Sequence, residues 1–203
     1  MSGSFLDKVY DVKGAEATRA LYDDWSDSYE AEVAESGYAT PGRAAQALAA
    51  VMPDKSAPVL DFGCGTGLFG QALRRAGFTQ IDGVDLSAEM LEHARAKDVY
   101  TTLAQIAADA PVHNGGDYAA IAAVGVIGAG AAPLSVLDTL FDALAPNALI
   151  CFSFNDHTLE DPAFEARVQA LVSDGRALQI RRDYGDHFPK LKLNSVIYIL
   201  QKT

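Results

Sequence analysis

From Val59 onward the chain alternates between short apolar runs and segments with apolar residues every three or four positions. The runs are short and bounded by turn residues, so they read as strands. They fall at Val59–Phe62, Gln80–Val84, Val99–Gln105, Tyr118–Val124 and Ala148–Phe154. Helical spacing covers Leu68–Ala76, which Gly77 ends, and Ser87–Lys97, where Ser87 suits the N-cap and Glu89 the first turn. Further helices are expected over Pro133–Leu144 and from about Leu159 to Ser173. The closing segments Arg176–Tyr184 and Leu191–Leu200 have strand periodicity, and His187 falls in the turn between them. Before Val59 the pattern is helical. Ala15–Val33 sets Ala17, Leu21, Trp25 and Ser28 at helical spacing and Gly37 breaks it, while Thr40-Pro41 reads as N-cap and first residue of a helix through Met52.

Strands alternating with helices imply a parallel sheet covered on both faces. The last two strands have only a short connection and should pair antiparallel, because a parallel pair needs a long crossover. The expected fold is α/β and Rossmann-like: a seven-stranded, mostly parallel sheet with the last strand antiparallel and helices on both faces. One domain is expected over residues 1–203, with lid helices in 1–52 and the core in 53–203.

Composition narrows the partners. The 203 residues are 49% hydrophobic and 21% charged, which is ordinary for a globular domain. A formal net charge of −11 and the absence of a Lys/Arg cluster argue against a nucleic-acid surface. No apolar run approaches the ~20 residues that span a bilayer, and Met1–Lys8 lacks the basic start of a signal peptide. Cys64 and Cys151 sit in apolar or glycine-rich runs without metal-site spacing, which suits a reducing, cytoplasmic setting. The expectation is a small-molecule substrate, with no nucleic acid, membrane or metal; nothing in the pattern specifies an oligomeric state.

The chemistry concentrates in Val59-Leu60-Asp61-Phe62-Gly63-Cys64-Gly65-Thr66-Gly67. Gly65-Thr66-Gly67-Leu68-Phe69-Gly70 satisfies the dinucleotide pattern G-x-G-x-x-G, with Asp85 about 20 residues on. An NAD(P)-dependent oxidoreductase is therefore a legitimate reading. Asp61 separates it from its rival. A pyrophosphate at this loop wants N–H donors, and a carboxylate a few ångströms away repels it. A sulfonium cofactor with an α-ammonium group instead finds its charge offset. Asp85 can accept hydrogen bonds from two ribose hydroxyls in either case.

With Gly83-Val84-Asp85-Leu86-Ser87-Ala88-Glu89-Met90 following at the usual separation, the chain resembles class I S-adenosylmethionine-dependent methyltransferases. It is most similar to the small-molecule branch that begins with a Tyr-x-x-Trp-x-x-x-Tyr helix, here Tyr22 to Tyr29. The resemblance implies S-adenosyl-L-methionine as cofactor, with Asp61, Gly63, Gly65 and Gly67 around its methionine part. It implies Asp85 on the ribose, Leu86 and Met90 near the adenine, and Gln105 and Ile106 at the adenine edge. Val124 would face the transferable methyl, and Tyr22, Trp25 and Tyr29 would cover the cofactor. Many relatives carry an acid near the adenine; here Gln105 precedes Ile106-Ala107-Ala108, with Asp109 only later.

Methyl transfer is an in-line displacement that depends on alignment and exclusion of water, and it needs a base only if the acceptor must lose a proton. No Asn/Asp-Pro-Pro-Tyr follows the fourth strand and neither cysteine is placed as a nucleophile. The acceptor expected is a small molecule methylated at O, N, S or C. His157, after the fifth strand, and His187 are the candidates to contact it, whereas His93 and His113 read as solvent-facing. A binding module that keeps the cofactor but transfers nothing is the third reading.

Overall fold

The computed structural model describes residues 14–203 except 109, 113, 114 and 129. Its seven strands are β1 (Val59–Phe62), β2 (Ile81–Asp85), β3 (Thr102–Gln105), β4 (Ala120–Ala123), β5 (Leu149–Asn155), β6 (Ala177–Phe188) and β7 (Leu193–Lys202). They form one sheet in the order β3-β2-β1-β4-β5-β7-β6. The pairs among β1 to β5 are parallel, and β7 runs antiparallel to both β5 and β6. The strand order reverses between β1 and β4, so the crevice at their carboxyl ends is where an open α/β sheet binds ligand.

Successive strand residues point to opposite faces, and each face has its own core. Leu60, Ile121, Ile150 and Phe152 pack with Leu137, Leu140 and Phe141 of α5 (Ser135–Ala143) and with Val168 and Leu171 of α7 (Pro162–Ser173). On the other face Val59, Ile81, Ala122 and Cys151 meet Ala44, Ala45 and Leu48 of α2 (Thr40–Val51) and Phe69 and Leu73 of α3 (Leu68–Arg75). α4 (Ala88–Ala96) follows β2 and is capped by the Ser87 hydroxyl, which accepts from Met90 N–H. α1 (Ala15–Ser36) lies elsewhere: its Trp25 and Val33 cluster with Phe188, near the carboxyl ends of the strands. Among the described residues no helix is long and apolar enough to cross a membrane.

Three local expectations are corrected. Thr40 is not an N-cap; Ala39 holds that place, and the buried Thr40 hydroxyl is 2.7 Å from His187 Nδ1 and 2.9 Å from Ser195 Oγ. The helix expected from about Leu159 starts at Pro162, and a separate one-turn helix precedes it. α6 (Asp156–Leu159) is capped by Asn155 and α7 by Asp161, because Pro162 disfavours helical geometry in the residue before it and starts a new first turn. His187 lies in β6 rather than in the turn, which is the one-turn 3-10 segment Pro189–Leu191 closed by Lys192 at φ 57°.

Candidate active site

β1 ends beneath the glycine loop. Gly63 and Cys64 donate their N–H groups to Val84 O at 2.8 and 3.0 Å, which ties the loop to β2. Gly63 has φ +70°, and a methyl there would lie 2.6 Å from Val126 Cγ2. Gly65 has φ +53° and faces open space, with nothing within 4 Å of the position a Cβ would take. Its N–H donates to Asp85 Oδ2 at 2.8 Å, while Asp85 Oδ1 accepts from Ser87 N–H at 2.9 Å. Thr66 Oγ1 is buried without a hydrogen-bond partner among the described residues. A buried hydroxyl left so costs about 1–3 kcal/mol unless a ligand satisfies it.

Gly70, the last glycine of the dinucleotide pattern, has a packing cause. A side chain there would overlap the Tyr100 ring, and one at Gly83 would lie 2.9 Å from it. Tyr100 fills the space these glycines leave, and its hydroxyl donates to Asp61 Oδ2 at 2.7 Å. Asp61 is 1% exposed. Burial pushes its carboxyl up to about 7 against the pull of the Tyr100 hydrogen bond, and the charge of Asp85 raises it further. Asp85 is also raised, first by burial and with a contribution from Asp23, against the pull of the Ser87 and Gly65 N–H groups.

Both carboxylates border one cavity of about 670 Å³. Two buried acidic groups beside the glycine loop, against the exposed cation Arg19 elsewhere on the cavity wall, favour a ligand that brings positive charge and hydroxyl donors to the loop, and disfavour a pyrophosphate there. The open space at Gly65, the unpartnered Thr66 hydroxyl and this pair of carboxyl groups all fit a nucleoside with a cationic amino-acid tail.

The comparisons with known proteins agree. The family model described as "Methyltransferase domain" matches residues 37–202. The chain is 35% identical over 165 residues to human methyltransferase-like protein 27, covering 76% of this chain and 66% of that relative. The chain belongs to the class I, S-adenosylmethionine-dependent methyltransferase family. Among solved structures, it superposes at TM-score 0.58 on the magnesium protoporphyrin IX methyltransferase of Synechocystis with bound cofactor, at 17% identity, covering 98% of this chain and 90% of that one. It superposes at 0.59 on an S-adenosylmethionine-dependent methyltransferase from Mesorhizobium loti, also at 17% identity, covering 77% and 96%. A chain solved in complex with the Haloferax volcanii Trm112 methyltransferase activator gives 0.68 at 15% identity, covering 91% and 97%.

Within this methyltransferase, Asp61, Gly63, Gly65, Asp85, Leu86 and Met90 border the large cavity. Tyr22, Tyr29, Ile106 and Val124 also border it. Three expected residues do not. Gly67 is packed under Tyr100 and Ala94, and Gln105 turns aside to donate to Leu86 O at 2.9 Å, leaving Ala108 at the wall. Trp25 is 1% exposed and meets Tyr29 edge-on at 4.8 Å; it borders a second, smaller cavity of about 70 Å³. His187 borders that smaller cavity too, 5% exposed, its imidazole pushed down to about 4 by burial. His157 borders neither; its Nδ1 lies 3.5 Å from Glu160. Asp109 and His113 lie outside the described residues.

Sequence reading missed Tyr38, which borders both cavities, and Tyr100. The signal for Tyr100 was present, since Gly70 and Gly83 sit inside regular elements with no turn to require them. Glycine there marks a close approach by something bulky.

The raised Asp61 carboxyl predicts a pH dependence. Near pH 7 it is half ionised, and only the ionised form offsets a cationic ligand. Affinity for S-adenosylhomocysteine should therefore fall about ten-fold between pH 8 and pH 6, and flatten in Asp61→Asn, as titration calorimetry will read. Unliganded stability carries the opposite sign. Asp61 takes up a proton on folding between about pH 4 and 7, so its contribution shrinks as pH rises through that window. His187, pushed down, releases one between about pH 4 and 6.5, so its contribution grows there. Tyr100→Phe removes the hydroxyl that favours ionised Asp61. Its binding midpoint should move above pH 7 and its melting temperature drop about 2–4 °C, for roughly 1 kcal/mol lost.

Proposed function

We propose that this methyltransferase transfers a methyl group to a small, uncharged acceptor seated in the smaller cavity. The observation that carries this is the adjacency of the two cavities, which share Tyr22, Tyr29, Tyr38, Gly125 and Ala131 as walls. None of the side chains bordering the smaller cavity carries a formal charge at neutral pH. Its walls are mainly aromatic and apolar, from Trp25, Tyr38, Ile127 and Phe188, with polar groups from Ser153, Asn155, Thr158 and His187. A phosphate or carboxylate would enter without a counter-charge, at a large desolvation cost. The net charge of −11 also weighs against a nucleic-acid acceptor.

When bound, S-adenosylmethionine supplies an electrophilic methyl on a sulfonium centre. Asp61 and Asp85 would hold it from the strand ends, with Gly63, Gly65 and the Thr66 hydroxyl along the loop. Leu86, Met90 and Ile106 would flank its base, and Val124 would sit toward the reacting side. The aromatic residues of α1 would act as a lid that keeps water from the reacting atoms. The protein's part is to bind, align and desolvate, and a well-aligned pair of reactants accounts for much of such a rate enhancement.

The test is turnover. The full chain is incubated with S-adenosylmethionine and a panel of uncharged aromatic and heteroaromatic compounds, each paired with its phosphorylated or carboxylated counterpart, and S-adenosylhomocysteine release is followed. Release with uncharged members only is expected. Release only with charged members, polypeptides or nucleic acids would overturn the reading.

A further inference from the structure

Four side chains from distant parts of the chain meet behind the smaller cavity. Arg43 Nη1 is 3.1 Å from Ser195 Oγ, Ser195 Oγ is 2.9 Å from Thr40 Oγ1, and Thr40 Oγ1 is 2.7 Å from His187 Nδ1. Thr40 and Ser195 are fully buried. The protons in this chain have one arrangement that satisfies every group. A guanidinium only donates, so Ser195 Oγ accepts from Arg43 and must place its own proton elsewhere. Thr40 Oγ1 is the acceptor within its reach among the described residues. Thr40 then accepts from Ser195 and directs its own proton to His187 Nδ1.

Nδ1 is thus an acceptor, and in a neutral imidazole the proton sits on Nε2. The reverse tautomer would make Nδ1 the donor, turn the Thr40 proton to Ser195 and leave the Ser195 proton without an acceptor in a buried site. That state is penalised as an unmade buried hydrogen bond. His187 Nε2 has no protein partner among the described residues, and the ring borders the small cavity.

We propose that Arg43, Ser195 and Thr40 lock His187 as an Nε2–H donor facing the acceptor cavity, so that the enzyme selects an uncharged acceptor bearing an in-plane lone pair, such as a carbonyl oxygen or ring nitrogen. His187 is a specificity-determining residue that reads this lone pair; Thr40 is a positioning residue acting through it. Held this way, His187 is not the base of the reaction: Nδ1 is filled by the Thr40 hydroxyl and Nε2 already carries its proton. The inference rests on the smaller cavity being the acceptor site. Burial, which keeps the imidazole neutral at physiological pH, is consistent with it.

The experiment reads the tautomer directly. Long-range proton–nitrogen spectra are recorded at pH 7.5 on the nitrogen-15-labelled full chain, with and without S-adenosylhomocysteine, and His187 is identified by its loss in His187→Gln. A protonated Nε2 with an unprotonated, hydrogen-bonded Nδ1 is expected. An Nδ1–H tautomer or an imidazolium overturns the proposal. The same sample is then titrated with pyridine, benzene and pyrrole, which match in size while only pyridine offers an in-plane lone pair. Pyridine should bind about five-fold tighter than the other two, as one net hydrogen bond implies. Equal binding, or a preference for pyrrole, overturns the proposal. Thr40→Val should leave His187 as mixed tautomers and bring pyridine within about two-fold of benzene, whereas Thr40→Ser should retain the wild-type pattern. If Thr40→Val does not fold, the wild-type spectrum still decides. Failure of S-adenosylhomocysteine to bind would count against the cofactor site alone, since the tautomer is read in its absence as well.

Discussion

Asp85→Ala should weaken S-adenosylhomocysteine binding about a hundred-fold while leaving the fold intact. Asp85 holds the glycine loop through Gly65 N–H, anchors the start of α4 through Ser87 N–H, and borders the large cavity. Each carboxylate oxygen retains a lone-pair direction after accepting one backbone N–H, which is what two vicinal hydroxyls require. Hydrogen bonds to a charged group contribute about 1.5–3 kcal/mol each, so losing two gives the expected two orders of magnitude or more. Unliganded stability should change by only about 1 kcal/mol, because removing the carboxylate also relieves its burial and its repulsion of Asp61. Asp85→Asn keeps one acceptor oxygen and should lose about ten-fold. Calorimetry for affinity and a thermal melt for stability separate the two effects; equal losses in both would mean that Asp85 is structural only.

Gly63→Ala should be the most damaging single substitution in the loop. The residue sits at φ +70°, strained for any side chain, and the added methyl would lie 2.6 and 2.9 Å from the two Val126 methyl groups. Backbone strain and overpacking each cost about 1–3 kcal/mol. A loss of roughly 3 kcal/mol should lower the melting temperature of a domain this size by about 6–12 °C and abolish cofactor binding at micromolar concentrations. Adding Val126→Ala removes the steric part, so the double variant should recover about half of the melting temperature. A Gly63→Ala protein that melts and binds like the wild type would contradict the packing described between the loop and the segment after β4.

The sheet was legible because it is periodic. Short apolar runs separated by helical spacing locate all seven strands, and the short link between β6 and β7 dictates their antiparallel pairing. Asp61 and Asp85 were legible because they stand beside glycines in a local motif. What escaped was held together across long separations. Thr40 and His187 are 147 residues apart and hydrogen-bonded, and nothing local to either announces it. Thr40-Pro41 has good local capping chemistry, yet the tertiary hydrogen bond claims the hydroxyl and the cap position falls to Ala39. β6 runs through Gly185 to Phe188 because β7 pairs with Gly185, Asp186 and Phe188, and register shifts at Gln179/Arg181 and Asp186/Phe188 break the simple alternation, the second leaving His187 as the unpaired residue. His157 looked well placed at the end of β5, but α6 carries it toward Glu160 and away from both cavities.

The paired carboxylates beneath the glycine loop are the centre of the account, and cofactor selection tests them most directly. Titration calorimetry at pH 8 compares S-adenosylhomocysteine with NAD on the full chain. One S-adenosylhomocysteine per chain, lost in Asp85→Ala, and no heat from NAD is the predicted result. Saturable NAD binding with no response to S-adenosylhomocysteine would contradict it.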